Sequence, residues 1–368
     1  MGLKRRACLN DQTRGAAGRP ARYFALGSCL TAFLLLTPFV AGQHDHDTLG
    51  VLEPRIKTSE PIFFEHVATA RVTVPDGGAS DGVRSAQGTG QTCPFDSTYT
   101  DADFDGPGPF SILSGFAELE IAAASYTIDP GFFPILIEKV EMVFAHHSSN
   151  NADTTTHWTL LIGPGTPANM SNVVSSNGLD IPYLEIPAGE NAVNLVVDLE
   201  TPFEITEQQA SDHNFIFSVG FRIDVHNDPS DNPCLADPPA DSNAFPTVDT
   251  SGVSDAANNW MRVLNCGPFD CPAGWRRFED LAFCEPDGDW VLRATWSPVT
   301  CPDQGACCLP NGNGTCDDDK GKGVVDFVCE AQGGTFQGDG TACADVDCTP
   351  TGACCEIDGT CSEGTQED

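Results

Sequence analysis

Seventeen cysteines run through this 368-residue chain, and their spacing limits its folds more than any other feature. Cys8 and Cys29 lie in a leader at the start. The other 15 divide by region into three groups. Cys93, Cys234, Cys266, Cys271, Cys284 and Cys301 make one set of six. Cys307, Cys308, Cys316, Cys329, Cys343 and Cys348 make a second, and Cys354, Cys355 and Cys361 a set of three. In a chain bound for an oxidising space, such density predicts disulfides. Zinc is the weaker reading. Four residues separate Cys266 from Cys271 and Cys343 from Cys348, knuckles favour two, and no His completes a set. Adjacent Cys307 and Cys308 should bond different partners, because a bridge between neighbours forces a strained ring. The odd set of three implies either a chain that stops within a repeat or a thiol free to link elsewhere.

Residues 1–42 read as a signal peptide. Lys4, Arg5, Arg6, Arg14, Arg19 and Arg22 form a basic leader, Ala25 to Val40 an apolar run too short to span a bilayer comfortably, and Val40-Ala41-Gly42 a small-residue cleavage site. Later segments hold no apolar run of membrane length, so no membrane insertion is expected after cleavage. A secreted, extracellular or cell-surface bacterial protein is the expectation. The leader holds six of the 18 Lys+Arg and one of the 53 Asp+Glu, which leaves 12 basic against 52 acidic residues, a net charge of −40. That field repels phosphate backbones and anionic lipid, disfavouring nucleic acid and membrane surfaces as partners.

Residues 43–92, opened by His44-Asp-His46-Asp and closed by Gly-rich stretches, read as a poorly ordered segment in which Pro61 to Val74 could add a strand or two. From 93 to 301 the chain reads as strands separated by Gly, Pro, Asn and Asp clusters. Phe215, Phe217, Val219, Phe221, Ile223 and Val225 would face one way, with Ser218, Gly220, Arg222, Asp224 and His226 facing the other. Similar alternation marks Val193 to Leu199, Val140 to Phe144, Ala117 to Ile121 and Trp290 to Trp296. With His157 to Ile162, Tyr183 to Ile186 and Met261 to Leu264, eight or nine one-sided strands predict an all-β antiparallel two-sheet sandwich of jelly-roll type. Asn227 to Asn259 reads as a long surface insertion.

Beyond Pro302, Gly305-Ala-Cys-Cys-Leu-Pro-Asn-Gly-Asn-Gly-Thr-Cys316 returns as Gly352-Ala-Cys-Cys-Glu-Ile-Asp-Gly-Thr-Cys361. Residues 305–348 make a complete cysteine-rich repeat and 351–368 a partial second one. Units of this size with few large apolar side chains need covalent staples. The Gly-Ala-Cys-Cys and Gly333-Gly-Thr-Phe-Gln-Gly motifs resemble the cysteine-rich repeats of secreted proteins of environmental bacteria. The preceding region, with Lys139-Val-Glu-Met-Val-Phe-Ala-His-His, Asn265-Cys-Gly-Pro-Phe-Asp-Cys and Gly288-Asp-Trp-Val-Leu-Arg-Ala-Thr-Trp, is similar to the domain that often precedes them. The resemblance implies export and points to no particular chemistry.

Candidate chemistry is sparse. Asp101-Ala-Asp103-Phe-Asp105-Gly matches the first half of a calcium loop, so a structural Ca²⁺ held by Asp101, Asp103 and Asp105 is one candidate. The twelfth position is Ile112, where a calcium loop needs a bidentate Glu. No His-Glu-x-x-His helix occurs. Glu118 and Glu120 read as neighbours on an exposed strand. Trp158, Trp290 and Trp296 are expected in the core, which leaves Trp260 and Trp275 in loops as candidate ligand-stacking rings. The function expected is therefore a non-enzymatic surface or matrix interaction module, with glycan or another matrix component as partner. A polysaccharide hydrolase or lyase built on sandwich loops is the alternative.

Overall fold

The computed structural model describes residues 55–74, 93–146, 153–177, 181–228, 234, 242–268, 270–309, 315–319, 323–348, 351–355 and 361–365. The leader, His44, His46, His147 and most of 229–241 lie outside them. Two units separate, one ending at Pro302 and one beginning at Asp303.

Among the described residues, sixteen strands build the first unit: β1 (Lys57–Thr58), β2 (Ile62–Phe64), β3 (Ala68–Val74), β4 (Phe95–Thr98), β5 (Gly108–Ser114), β6 (Ile121–Thr127), β7 (Ile135–Ala145), β8 (Thr154–Pro164), β9 (Ser171–Ser175), β10 (Leu184–Ile186), β11 (Ala192–Ile205), β12 (Ile216–His226), β13 (Phe245–Val248), β14 (Asn259–Val263), β15 (Gly274–Arg277) and β16 (Leu292–Pro298). A six-residue helix, α1 (Glu207–Asp212), carries a capping box from Thr206 and Gln209. The strands pair as a nine-stranded and a seven-stranded sheet. One contains the order β5-β13-β7-β11 and the other β10-β8-β12-β6. From β5 to β8 the chain changes sheet at every step, and it does so again from β10 to β14, which is the jelly-roll path.

The sheets bury a shared core. Phe144 of β7 meets Phe221 of β12 edge to face at 5.9 Å between centroids, and the Tyr126 hydroxyl on β6 donates to the Leu292 carbonyl on β16 at 3.4 Å. Phe217, Val219, Phe221 and Ile223 point inward, as do Trp158, Trp290 and Trp296. A bulge at Asp224 then breaks the alternation. Ile223 pairs with Trp158 and Val225 with His157, so Val225 turns to solvent and His226 turns inward. The sequence period alone had put them the other way round.

Several expectations change. The sheet begins well before residue 93, because β1, β2 and β3 join it out of the stretch read as poorly ordered. β3 lies parallel to β11 over seven residue pairs, so the nine-stranded sheet is mixed rather than purely antiparallel. No hairpin joins these two strands, hence no turn sets their direction. Ala244, Phe245 and Val248 are buried within the expected surface insertion, since β13 lies between β5 and β7. The strand expected from Ala117 to Ile121 starts only at Ile121. Leu119 adopts φ 70° and is exposed, whereas Glu120 is fully buried.

Glu120 is buried because Arg55 reaches it. Both Arg55 Nη atoms bond the carboxylate, at 3.1 and 2.6 Å, and Nε reaches Asp270 at 3.3 Å. The amides of Ala117 and Leu264 donate to the same carboxylate at 2.7 and 2.9 Å. Arg55→Met should therefore lower stability by about 3–5 kcal/mol, the cost of stranding a buried charge, and adding Glu120→Leu should recover most of it. Urea denaturation checks this, and a single-variant loss of only about 1 kcal/mol, typical of an exposed pair, would contradict it.

Disulfides Cys93–Cys301, Cys234–Cys266 and Cys271–Cys284 close the first unit. The second unit holds β17 (Gln304–Gly305), β18 (Cys307–Cys308), β19 (Cys316–Asp317), β20 (Val324–Val325), helix α2 (Asp326–Ala331), β21 (Thr335–Phe336), β22 (Thr351–Cys355) and β23 (Cys361–Thr365). Its core is small. Cys307, Val324 and Cys329 are buried, with Leu309, Val328 and Phe336 packed on them. The bonds Cys307–Cys329, Cys308–Cys348 and Cys316–Cys343 replace the missing burial. A Cβ on Gly334 would meet the Cys307 Sγ at 2.5 Å and the Cys329 Sγ at 3.0 Å, which explains the Gly-Gly-Thr-Phe motif. The second copy repeats the hairpin: Cys355 lies opposite Cys361 as Cys308 lies opposite Cys316. Peptide mapping of the non-reduced protein should recover these six bridges, and one linking Cys234 or Cys284 to the repeat would overturn the division.

Candidate ligand-binding face

Alternation along β14 builds the site. Met261 and Val263 fill the core, so Trp260 and Arg262 point outward from the seven-stranded sheet. β15 pairs beside it with Trp260 opposite Arg277 and Arg262 opposite Trp275. Side chains directly opposite across a strand pair share a face. Two indoles and two guanidiniums therefore form a square on one outer surface.

The pairing extends this square across the sheet. One line runs Leu161, Gly220, Ala123, Trp260, Arg277, and the next runs Thr159, Arg222, Ile121, Arg262, Trp275. Ile121, Ala123 and Leu161 form a buried apolar floor, on which Met170, Trp260 and Trp275 pack half-buried. Met170 comes down because position 163 is Gly. A Cβ there would meet the Asn169 carbonyl oxygen at 2.8 Å and the Met170 Cα at 2.9 Å.

Hydrogen bonds fix the ring edges. Trp260 Nε1 donates to the Ser125 hydroxyl at 2.9 Å, which donates onward to Asn258 at 2.9 Å. The Arg277 guanidinium lies 6.0 Å from the Trp260 centroid, at the outer limit of a cation–π contact, and pairs with exposed Glu279 and Asp280. Farther along the face a polar cluster gathers at the bulge. Asp224 accepts from Arg222 Nε at 2.6 Å, Thr159 Oγ1 at 2.5 Å and Ser175 Oγ at 3.2 Å.

Trp260 and Trp275, read as loop residues, thus lie on adjacent strands and come together. The signal was partly available: a strand through Met261 gives Trp260 and Arg262 one parity. No signal marked Gly274–Arg277 as the neighbouring strand.

Asp101, Asp103 and Asp105 are not brought together. Asp103 accepts from the Asp105 amide at 3.1 Å, and Asp105 from the Thr69 hydroxyl at 3.3 Å. Between them Phe104 is buried under the Arg293 guanidinium, 4.3 Å from its centroid, so the loop acts as a cover over the nine-stranded sheet. Among the described residues, the one group with three potential ligand atoms within 4.8 Å is Asp270, Cys271 and Cys284, and its two sulfurs form a disulfide.

A separate buried acidic pair, Asp249 and Asp289, joins the loops at one place in the sandwich. Asp289 accepts from Ser254 Oγ at 2.5 Å, the Ser254 amide at 2.8 Å and Asn259 Nδ2 at 2.7 Å. Asp249 accepts from the Asp289 amide at 3.2 Å. Burial, joined by the charge of Asp289, holds the Asp249 carboxyl above its ordinary range, although bonding from Thr100 opposes this. The folded protein then keeps that proton more tightly than the unfolded chain. Its stabilisation is complete below the ordinary carboxylate range and is lost as pH rises through the raised value. Relative to wild type, Asp249→Asn should gain stability between about pH 4 and about pH 7. Chemical denaturation at the two pH values tests this, and an unchanged difference would count against it.

No protein-family model, curated protein or solved structure matches this chain.

Proposed function

We propose that this is an exported, non-enzymatic module that binds saccharide on the outer face of the seven-stranded sheet. One observation carries the reading. Three tryptophans, Trp158, Trp290 and Trp296, fill the core, while Trp260 and Trp275 stand diagonally across the β14–β15 pair at the surface on an apolar floor. A sugar ring has apolar C–H faces and a rim of hydroxyls, so it needs an aromatic plane beside hydrogen-bonding groups. The indoles supply the first, and half-buried Arg222 and Ser175 on the same sheet face, held in place by buried Asp224 and Thr159, supply the second. Export is supported by the basic-apolar leader and the six disulfides. Among the described residues no helix is long and apolar enough to cross a membrane.

Affinity electrophoresis through a panel of polysaccharides, run beside hydrolase and lyase assays, tests the proposal. Retention without turnover is expected. Trp275→Ala should weaken it about tenfold or more, as for other aromatic anchors, with melting temperature checked for both proteins. Turnover would sink the binding-module reading, and retention that is indifferent to Trp275 would move the site elsewhere.

A further inference from the structure

Cations are scarce in this protein, with 18 Lys+Arg against 53 Asp+Glu, so an arginine should rarely lack a carboxylate. Among the described residues, Arg55, Arg71, Lys139, Arg222, Arg277 and Arg293 each form an ion pair. Arg262 and Arg276, both exposed, form none there, and both sit on the β14–β15 pair. Arg262 Nη1 donates to the Leu119 carbonyl at 3.2 Å, an interaction that leaves its charge uncompensated. Arg276, one residue along β15 from Trp275, lies opposite inward-facing Met261 and so projects from the other side of the strand, away from the indoles. Among the described residues, the one exposed guanidinium on the outer face without a carboxylate partner, that of Arg262, thus lies in the same square as the two indoles.

We infer that the saccharide held by the Trp260–Trp275 face is anionic, its carboxylate or sulfate groups taken by Arg262. The inference rests on the saccharide-binding reading above and specifies its ligand class. A guanidinium presents a planar fork of donors that matches carboxylate and sulfate oxygens. The field of the whole chain is negative and repels a polyanion, but salt screens it beyond about 10 Å, whereas a guanidinium in contact with its ligand is screened far less. Recognition therefore depends on the local charges. An acidic polypeptide would satisfy Arg262 but offers no pyranose for the indoles.

The test uses the full chain and four immobilised polymers: dextran, dextran sulfate, polygalacturonate and polyglutamate. Retention on dextran sulfate or polygalacturonate is expected to exceed that on dextran by about tenfold or more, the scale of one charged hydrogen bond. Which of the two is preferred separates sulfate from uronate. Arg262→Gln should lower retention on the preferred polymer and flatten its decline with added salt. Arg71→Gln, which removes an equal charge from β3 in the other sheet, should not. Equal retention on dextran and the anionic polysaccharides would overturn the anionic ligand while leaving saccharide binding intact. Equal retention on polyglutamate would overturn a saccharide requirement, and absence of retention on any polysaccharide would overturn both readings. Melting temperatures of the variants, expected unchanged for these exposed side chains, separate loss of binding from loss of fold.

Discussion

Where a few cations are placed among many carboxylates governs much of this structure. A carboxylate drawn into a core must be neutralised or fully hydrogen-bonded, since leaving it alone costs several kcal/mol. Arg55 answers Glu120, Arg293 and Lys139 answer Glu141, and Arg222 answers Asp224. The three arginine pairs also join segments that are distant in the chain or pin an irregularity. Arg55 ties the chain ahead of β1 to the turn before β6, and Arg222 holds the bulge that redirects the end of β12. Asp289 is managed differently, with neutral donors from Ser254 and Asn259.

The jelly roll supplies the frame in which these pairs act. Because the chain crosses between sheets at nearly every strand, each sheet presents one face to the shared core and one outward. The outer faces then receive different treatment. On the nine-stranded sheet, the loop carrying Phe104 packs with that ring beneath Arg293. On the seven-stranded sheet, Met170 closes over one part and the two indoles remain half-exposed beside it.

In the second unit the physics changes. A buried cluster of three residues cannot offset the chain entropy of a unit of some 45 residues, so cross-links that restrict the unfolded state take the place of burial. Sulfur packing then dictates the backbone nearby, which is why position 334 is a glycine.

The sequence by itself determined what depends on local periodicity and composition: strands, the all-β class, the grouping of cysteines, and the inward Trp158, Trp290 and Trp296. Side-chain parity is a property of neighbouring residues, so it is legible along one strand. Tertiary structure decided what depends on pairing between distant segments. The bulge at Asp224 reversed Val225 and His226, and the approach of Arg55 converted Glu120 from a surface residue into a buried one. The same holds for the site. Trp260 and Trp275 are 15 positions apart in the chain, and nothing local states that their strands align with Trp260 opposite Arg277. That register comes from hydrogen-bonding across the sheet and from burying Met261 and Val263 beneath it, and it is what turns two isolated tryptophans into one face.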